Sequence, residues 1–113
     1  MITIEQLIDR VKEIAKHRQD NKYVVGQFAR CYYTKGNCSD GSCGCIFGQA
    51  LVSLDPNLKT TLVALDNYPT PIAILLLKLG ITGSDAQLEW CAQVQRLQDS
   101  GDLWGKCIPA ESN

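Results

Sequence analysis

Histidine is almost absent from this chain. The single one, His17 among 113 residues, lies upstream of every cysteine. A cysteine nucleophile needs an imidazole brought beside it as general base, so this scarcity argues against cysteine-peptidase chemistry. Long apolar runs are missing too. The longest, Ile72 to Leu77, is far short of the ~18 residues a membrane span requires and suits one buried helix. The start, Met1-Ile2-Thr3-Ile4-Glu5, has neither the basic opening nor the apolar stretch of a secretory signal. The expected setting is therefore the reducing cytoplasm. No glycine loop precedes a helix to cradle a phosphate, no acid–base pair stands beside a nucleophile, and no repeat or linker divides the chain.

Neither sign of charge dominates: eleven Lys/Arg face twelve Asp/Glu, for a net charge of −1. Seven of the basic residues fall within positions 1–35, among Tyr23, Phe28, Tyr32 and Tyr33. Basic residues interleaved with aromatics can track a nucleic-acid strand. Here Glu5, Asp9, Glu13 and Asp20 are mixed into the same stretch, which reads instead as a solvated helix face. Nucleic acid and membrane are not expected partners.

What is present is an ordinary globular composition, 45% apolar and 20% charged, enough for one domain over residues 1–113 with a core of its own. Thr3-x-x-Gln6 has the form of a capping box, and Ile4, Leu7, Ile8, Val11, Ile14 and Ala15 follow at helical spacing. Lys16, His17 and Arg18 suit the negative end of that helix. Tyr23–Val25 and Ala29–Thr34 are rich in β-branched and aromatic side chains and predict short extended pieces or a small hairpin. Further helices are predicted from Cys45 to Leu54, after Asp55-Pro56, from Pro71 to Gly80, and from Ser84-x-x-Gln87 towards Gly101. The Ile72–Leu79 helix is apolar around nearly its whole circumference, which predicts a place in the middle of the bundle. The expected fold is mainly α: a small single-domain bundle of about five helices, with a Cys-rich loop and a short β-hairpin after the first helix.

Four of the six cysteines, Cys31, Cys38, Cys43 and Cys45, fall within fifteen positions across a Gly/Ser/Asn turn. Together they form a candidate tetrathiolate zinc site, although neither of the paired C-x2-C knuckles that mark such sites is present. A bridge between Cys31 and Cys45 is a second use, since closing a loop of that size stabilises a fold by roughly 3 kcal/mol in an oxidising compartment. A third is nucleophilic or redox chemistry at Cys45, whose place at a helix N-terminus predicts a lowered thiol pKa. Cys91 occupies a core-facing helical position and reads as a small buried hydrophobe.

Two stretches carry a resemblance. Cys31-x-Tyr33 is followed, after a glycine turn, by Gly44-Cys45-Ile46-x-Gly48-x-Ala50-Leu51, and Gln95-x-x-Gln98-Asp99-x-Gly101-x-x-Trp104-Gly105 lies near the end. This pattern resembles that of small uncharacterised proteins of actinobacteriophages and their actinobacterial hosts. The resemblance implies a phage-type accessory protein of the bacterial cytoplasm and carries no activity with it. The longer loop here adds Cys38 and Cys43, which leaves Cys31 and Cys45 as the structural cysteine pair. Gln98 and Asp99 read as a helix end closed by Trp104, or, with Tyr33, as a polar rim around an aromatic anchor for a partner protein. The expected function is non-enzymatic binding of a host or phage protein, or of a small ligand, without a cofactor. A zinc-stabilised interaction module and a thiol redox protein are the alternatives.

Overall fold

The computed structural model describes residues 2–24, 32–68 and 70–109. Among them five α-helices follow one another: α1 (Ile4–His17), α2 (Ile46–Leu54), α3 (Leu58–Leu65), α4 (Ile72–Leu79) and α5 (Asp85–Asp99), then a short 3-10 turn at Trp104–Lys106. The fold is mainly α, as the periodicity predicts. Both capping boxes form. The Thr3 and Ser84 hydroxyls accept from the backbone N–H of Gln6 and Gln87, whose side chains accept in return from the cap residues. Each box satisfies two amides that the first helical turn leaves without partners.

Ile4, Leu7, Val11 and Ala15 of α1 are buried and pack chiefly against α2, itself buried at Ile46, Phe47, Gly48, Ala50 and Leu51. α5 contributes Cys91, Val94 and Gln98, and α4 contributes Ile72, Leu75 and Leu76. Trp104 completes this core and is fully buried against the end of α1. Its backbone N–H donates to the Asn21 carbonyl at 2.7 Å, and that of Gly105 to the Gln19 carbonyl at 3.0 Å. Burying an indole removes ~150–250 Å2 from water, so the C-terminal stretch closes the bundle.

One local expectation needs correction. The α4 helix is not enclosed: Ile72, Leu75 and Leu76 point inward, while Ala73, Ile74, Leu77 and Lys78 are exposed. An eight-residue apolar helix packed on one side has no period to reveal which side that is. Tyr23 bridges Cys38, and Asn37 bridges Cys43, so the Cys-rich loop supplies its own turn; of the predicted extended pieces Tyr23–Val25 and Ala29–Thr34, residues 25 and 29–31 lie outside the described residues. No described helix is long and apolar enough to cross a membrane.

Candidate functional site

The two sequence stretches meet in space around the segment Tyr32–Thr34. Its backbone lies directly on the start of α2: Cys45 N–H donates to the Tyr32 carbonyl at 2.9 Å. A Cβ built on Gly48 would sit 1.7 Å from the Tyr33 carbonyl oxygen, and one on Gly44 2.4 Å from it. Only glycine lets main chain approach a helix that closely. Asp66, at the end of α3, holds the same segment from the other side. Its buried carboxylate accepts from Tyr33 N–H at 2.8 Å, from Thr34 N–H at 3.0 Å and from the Thr34 hydroxyl. The Tyr33 hydroxyl donates to the Thr70 carbonyl and accepts from Gln95 Nε2 at 3.0 Å. Burial raises the Tyr33 phenol well above its usual pKa, and the nearby Cys45, Asp99 and Asp66 reinforce this against the Gln95 hydrogen bond.

Gln95 and Gln98 of α5 serve the starts of two other helices. Gln95 Oε1 accepts from Ile72 N–H at 2.8 Å, and Gln98 Oε1 accepts from Ile46 N–H at 2.7 Å. Both amides belong to first turns, where no intrahelical acceptor exists. The structure therefore places Tyr33, Gln98 and Trp104 inside the protein, with Asp99 half-buried beside Gln98. Gln98 and Trp104 are fully buried, whereas Tyr33, though 4% exposed, borders a groove.

The sulfurs separate likewise. Cys45 is a buried free thiol at the N-cap of α2. Burial pushes it up to about 12, outweighing the Gly48 and Phe47 backbone amides that favour its thiolate, while Asp99 and Asp66 add to the rise. This corrects the activated thiol that helix position alone predicts: desolvation is larger than the helix-terminus effect here. Cys91 and Cys107 are buried and pushed up to about 12 by the same desolvation, with Asp102 and Asp99 contributing at Cys107. Cys38 is buried as well, its thiol donating to the Gly44 carbonyl at 3.3 Å. The Asn37–Cys43 bridge sets a register in which Cys38 turns inward and Cys43 outward. Among the described residues no three metal-ligating side chains converge. Cys31, the other half of the expected pair and the fourth candidate ligand, lies outside the described residues.

Arg18 and Gln49 organise the loop, and their sequence positions carry no motif that announces it. The Arg18 guanidinium lies 4.8 Å from the centre of the Trp104 ring. It donates to Asp40 Oδ2 through Nε at 2.8 Å and also to Gln49 Oε1 and the Ser42 hydroxyl. The Gln49 amide nitrogen donates to Ser42 Oγ at 3.0 Å and to the Cys43 and Gly44 carbonyls at 3.2 and 3.1 Å. Partial burial opposes the Asp40 charge, but hydrogen bonds from Ser42 and the Arg18 guanidinium together hold that carboxyl below the usual carboxylate range.

Above this scaffold lies an open groove of about 360 Å3, bordered by Tyr33, Thr34, Cys43, Gln49, Val52 and Lys59 among others. Its hydroxyl and amide groups are largely engaged within the protein: Thr34 with Asp66, Ser42 with Asp40, Ser53 with the Ala50 carbonyl. What remains outward is the exposed Cys43 thiol, the exposed Lys59 amine and the side of Val52. Among the described residues no imidazole or carboxylate lines the groove; His17 borders a different hollow, with Asp20 and Asn21. The groove can hold an acceptor against Lys59 and apolar atoms against Val52, but it sets no base beside the thiol. Comparison with protein families, with curated proteins and with solved structures finds no match to this chain.

Proposed function

We propose that this chain is a non-enzymatic binding protein of phage type, acting in the bacterial cytoplasm on a host or phage protein through the groove between the Cys-rich loop and α2–α3. The observation that carries the reading is the division of the cysteine cluster. Cys38 and Cys45 are buried, and Cys43, the outward thiol of the described cluster, borders a groove lined, among the described residues, by neither imidazole nor carboxylate. Thiol catalysis needs a base within hydrogen-bond reach; recognition needs only a concave wall with a few polar groups at its edge. The residues quoted for the phage resemblance support the same reading, because Tyr33 and Gly48 line the groove and Gly44 and Gly48 lie against the Tyr33 backbone. Host take-over or counter-defence is the setting this role fits.

The test is affinity capture from an actinobacterial host lysate with the wild-type chain and with Val52→Arg and Lys59→Glu, each checked by circular dichroism. A protein retained by the wild type and lost from both folded variants is the expected result. A substrate turned over by the wild type and spared by Cys43→Ser would replace binding with catalysis. Elemental analysis of protein purified without chelator tests the zinc-stabilised alternative: near-stoichiometric zinc would favour it.

A further inference from the structure

The Cys-rich loop brings the edge of a small hairpin to the groove. Asn37 and Cys43 pair across this hairpin without bonding to each other. On either side of them Cys38 N–H donates to the Ser42 carbonyl at 2.8 Å and Gly44 N–H to the Gly36 carbonyl at 3.2 Å. In such a pair the main-chain groups of both residues point outward, away from the opposite strand. Beyond Asn37 that edge is covered, since Val24 N–H donates to the Asn37 carbonyl at 2.8 Å. Beyond Cys43 the carbonyl accepts from Gln49 Nε2 at 3.2 Å, but among the described residues the Cys43 N–H meets no acceptor. Cys43 is exposed and borders the groove together with Gln49. An unpaired amide on a strand edge is a template for a further strand.

Charge comes from the helices. Lys59 of α3 is the charged residue of the lining. Among the described residues the ion pairs are Arg18–Asp40 and Arg96–Glu89, so the Lys59 ammonium has no carboxylate of its own. Where Ser53 borders the groove, the Arg10 guanidinium donates to Ser53 Oγ at 2.9 Å and is likewise outside those pairs. The carboxylates of the surrounding loop and helix ends are engaged. Asp40 accepts from Arg18 and Ser42, Asp55 from the Asn57 amide, and buried Asp66 from the Tyr33 and Thr34 amides.

Building on the binding reading of this same groove, we infer that it receives an extended acidic segment of the partner protein. A main-chain carbonyl of that segment accepts from Cys43 N–H, an Asp or Glu side chain lies on Lys59, and an aliphatic side chain packs on Val52. Strand addition draws affinity from main-chain hydrogen bonds and specificity from the side-chain contacts beside them. An acidic segment complements Lys59 and Arg10, whereas a basic one would be repelled by both. A single-stranded nucleic acid would need an aromatic face to stack on, and the aromatic residue of the lining, Tyr33, is buried.

The test is selection of a displayed random nonapeptide library on the full chain in reductant, with the recovered sequences remeasured as labelled synthetic peptides by fluorescence anisotropy. Asp or Glu close to Val, Ile or Leu is the expected signature, with binding that weakens as salt rises. Lys59→Gln should weaken it by about fivefold and Lys59→Glu by about tenfold or more. Exchanging the peptide's acid for Lys should restore binding to Lys59→Glu. Lys59 is exposed, so neither substitution disturbs the core. Hydrogen exchange at the Cys43 amide should slow when the peptide is added. Neutral or basic peptides that Lys59→Glu binds as well as the wild type overturn the acidic occupant, and their loss on Val52→Arg would keep the groove as a binding site. Peptides indifferent to both Lys59→Glu and Val52→Arg overturn the groove reading as well. Unchanged exchange at Cys43 overturns strand addition. A library that enriches no sequence, or an oligothymidine bound where no peptide is, overturns the peptide class.

Discussion

Replacing Gly48 by alanine tests the docking of the Tyr32–Thr34 segment on α2. In an isolated helix the change is favourable by roughly 0.5–1 kcal/mol, because alanine loses less backbone entropy than glycine. Here the added methyl would lie 1.7 Å from the Tyr33 carbonyl oxygen, 2.4 Å from its carbon and 2.7 Å from its Cα. These are backbone atoms and cannot swing aside. Relief requires the segment to retreat by about 1.5 Å, a displacement of the kind that overpacked cores resist. That retreat strains the Cys45-to-Tyr32 hydrogen bond and the three contacts from Asp66. Overpacking costs about 1–3 kcal/mol, and each buried hydrogen bond lost adds about 1 kcal/mol. The net expectation is destabilisation by about 3 kcal/mol, with the helix-propensity gain already subtracted. Urea unfolding followed by circular dichroism measures it. A Gly48→Ala protein as stable as the wild type would refute the reasoning, since it would mean that the Tyr33 backbone does not rest on α2.

Three further outcomes follow from the same geometry. Gln98→Leu should cost about 1–3 kcal/mol in urea unfolding, because it leaves the Ile46 amide buried without an acceptor; an unchanged midpoint would show that amide to have another partner. In a Cys31→Ser background, a chromogenic disulfide reagent should modify one thiol rapidly, Cys43, and the other four only after denaturant is added. A second fast thiol would contradict the burial of Cys38, Cys45, Cys91 and Cys107. Stability should fall as pH rises above about 9, where these thiols ionise when unfolded. Cys45, Cys91 and Cys107 are held up to about 12 when folded, so between those values the unfolded chain binds fewer protons than the folded one. Each thiol then removes about 1.4 kcal/mol per pH unit, fully stabilising below the unfolded value and lost on the way to the folded one. Equal urea midpoints at pH 8 and pH 10 would contradict this.

The helices were legible because their signals are local. Thr3-Gln6 and Ser84-Gln87 form reciprocal caps wherever a helix starts, and the α1 stripe survives folding intact. The site was legible only as a location. That Cys38 turns inward and Cys43 outward depends on a register set by the Asn37–Cys43 bridge, which spacing alone does not determine. Asp66 and Gln49 look like any polar residue at a helix end or in a first turn until the Tyr33 segment and the loop are folded against them. Trp104 illustrates the same limit from the other side: an aromatic between Leu103 and Gly105 just past a helix end fits either a closure or an anchor. The choice became readable once Arg18 was seen over its ring and Asn21 accepting its backbone amide.

The proposed mode of action rests on recognition without thiol chemistry, and the measurement that bears on it most directly is capture of the host partner by Cys43→Ser. Binding through the walls of the groove predicts retention within about twofold of the wild type, together with release of the partner under non-reducing denaturant. A partner that stays attached to the wild type through Cys43 in denaturant, and that Cys43→Ser fails to capture, would contradict it.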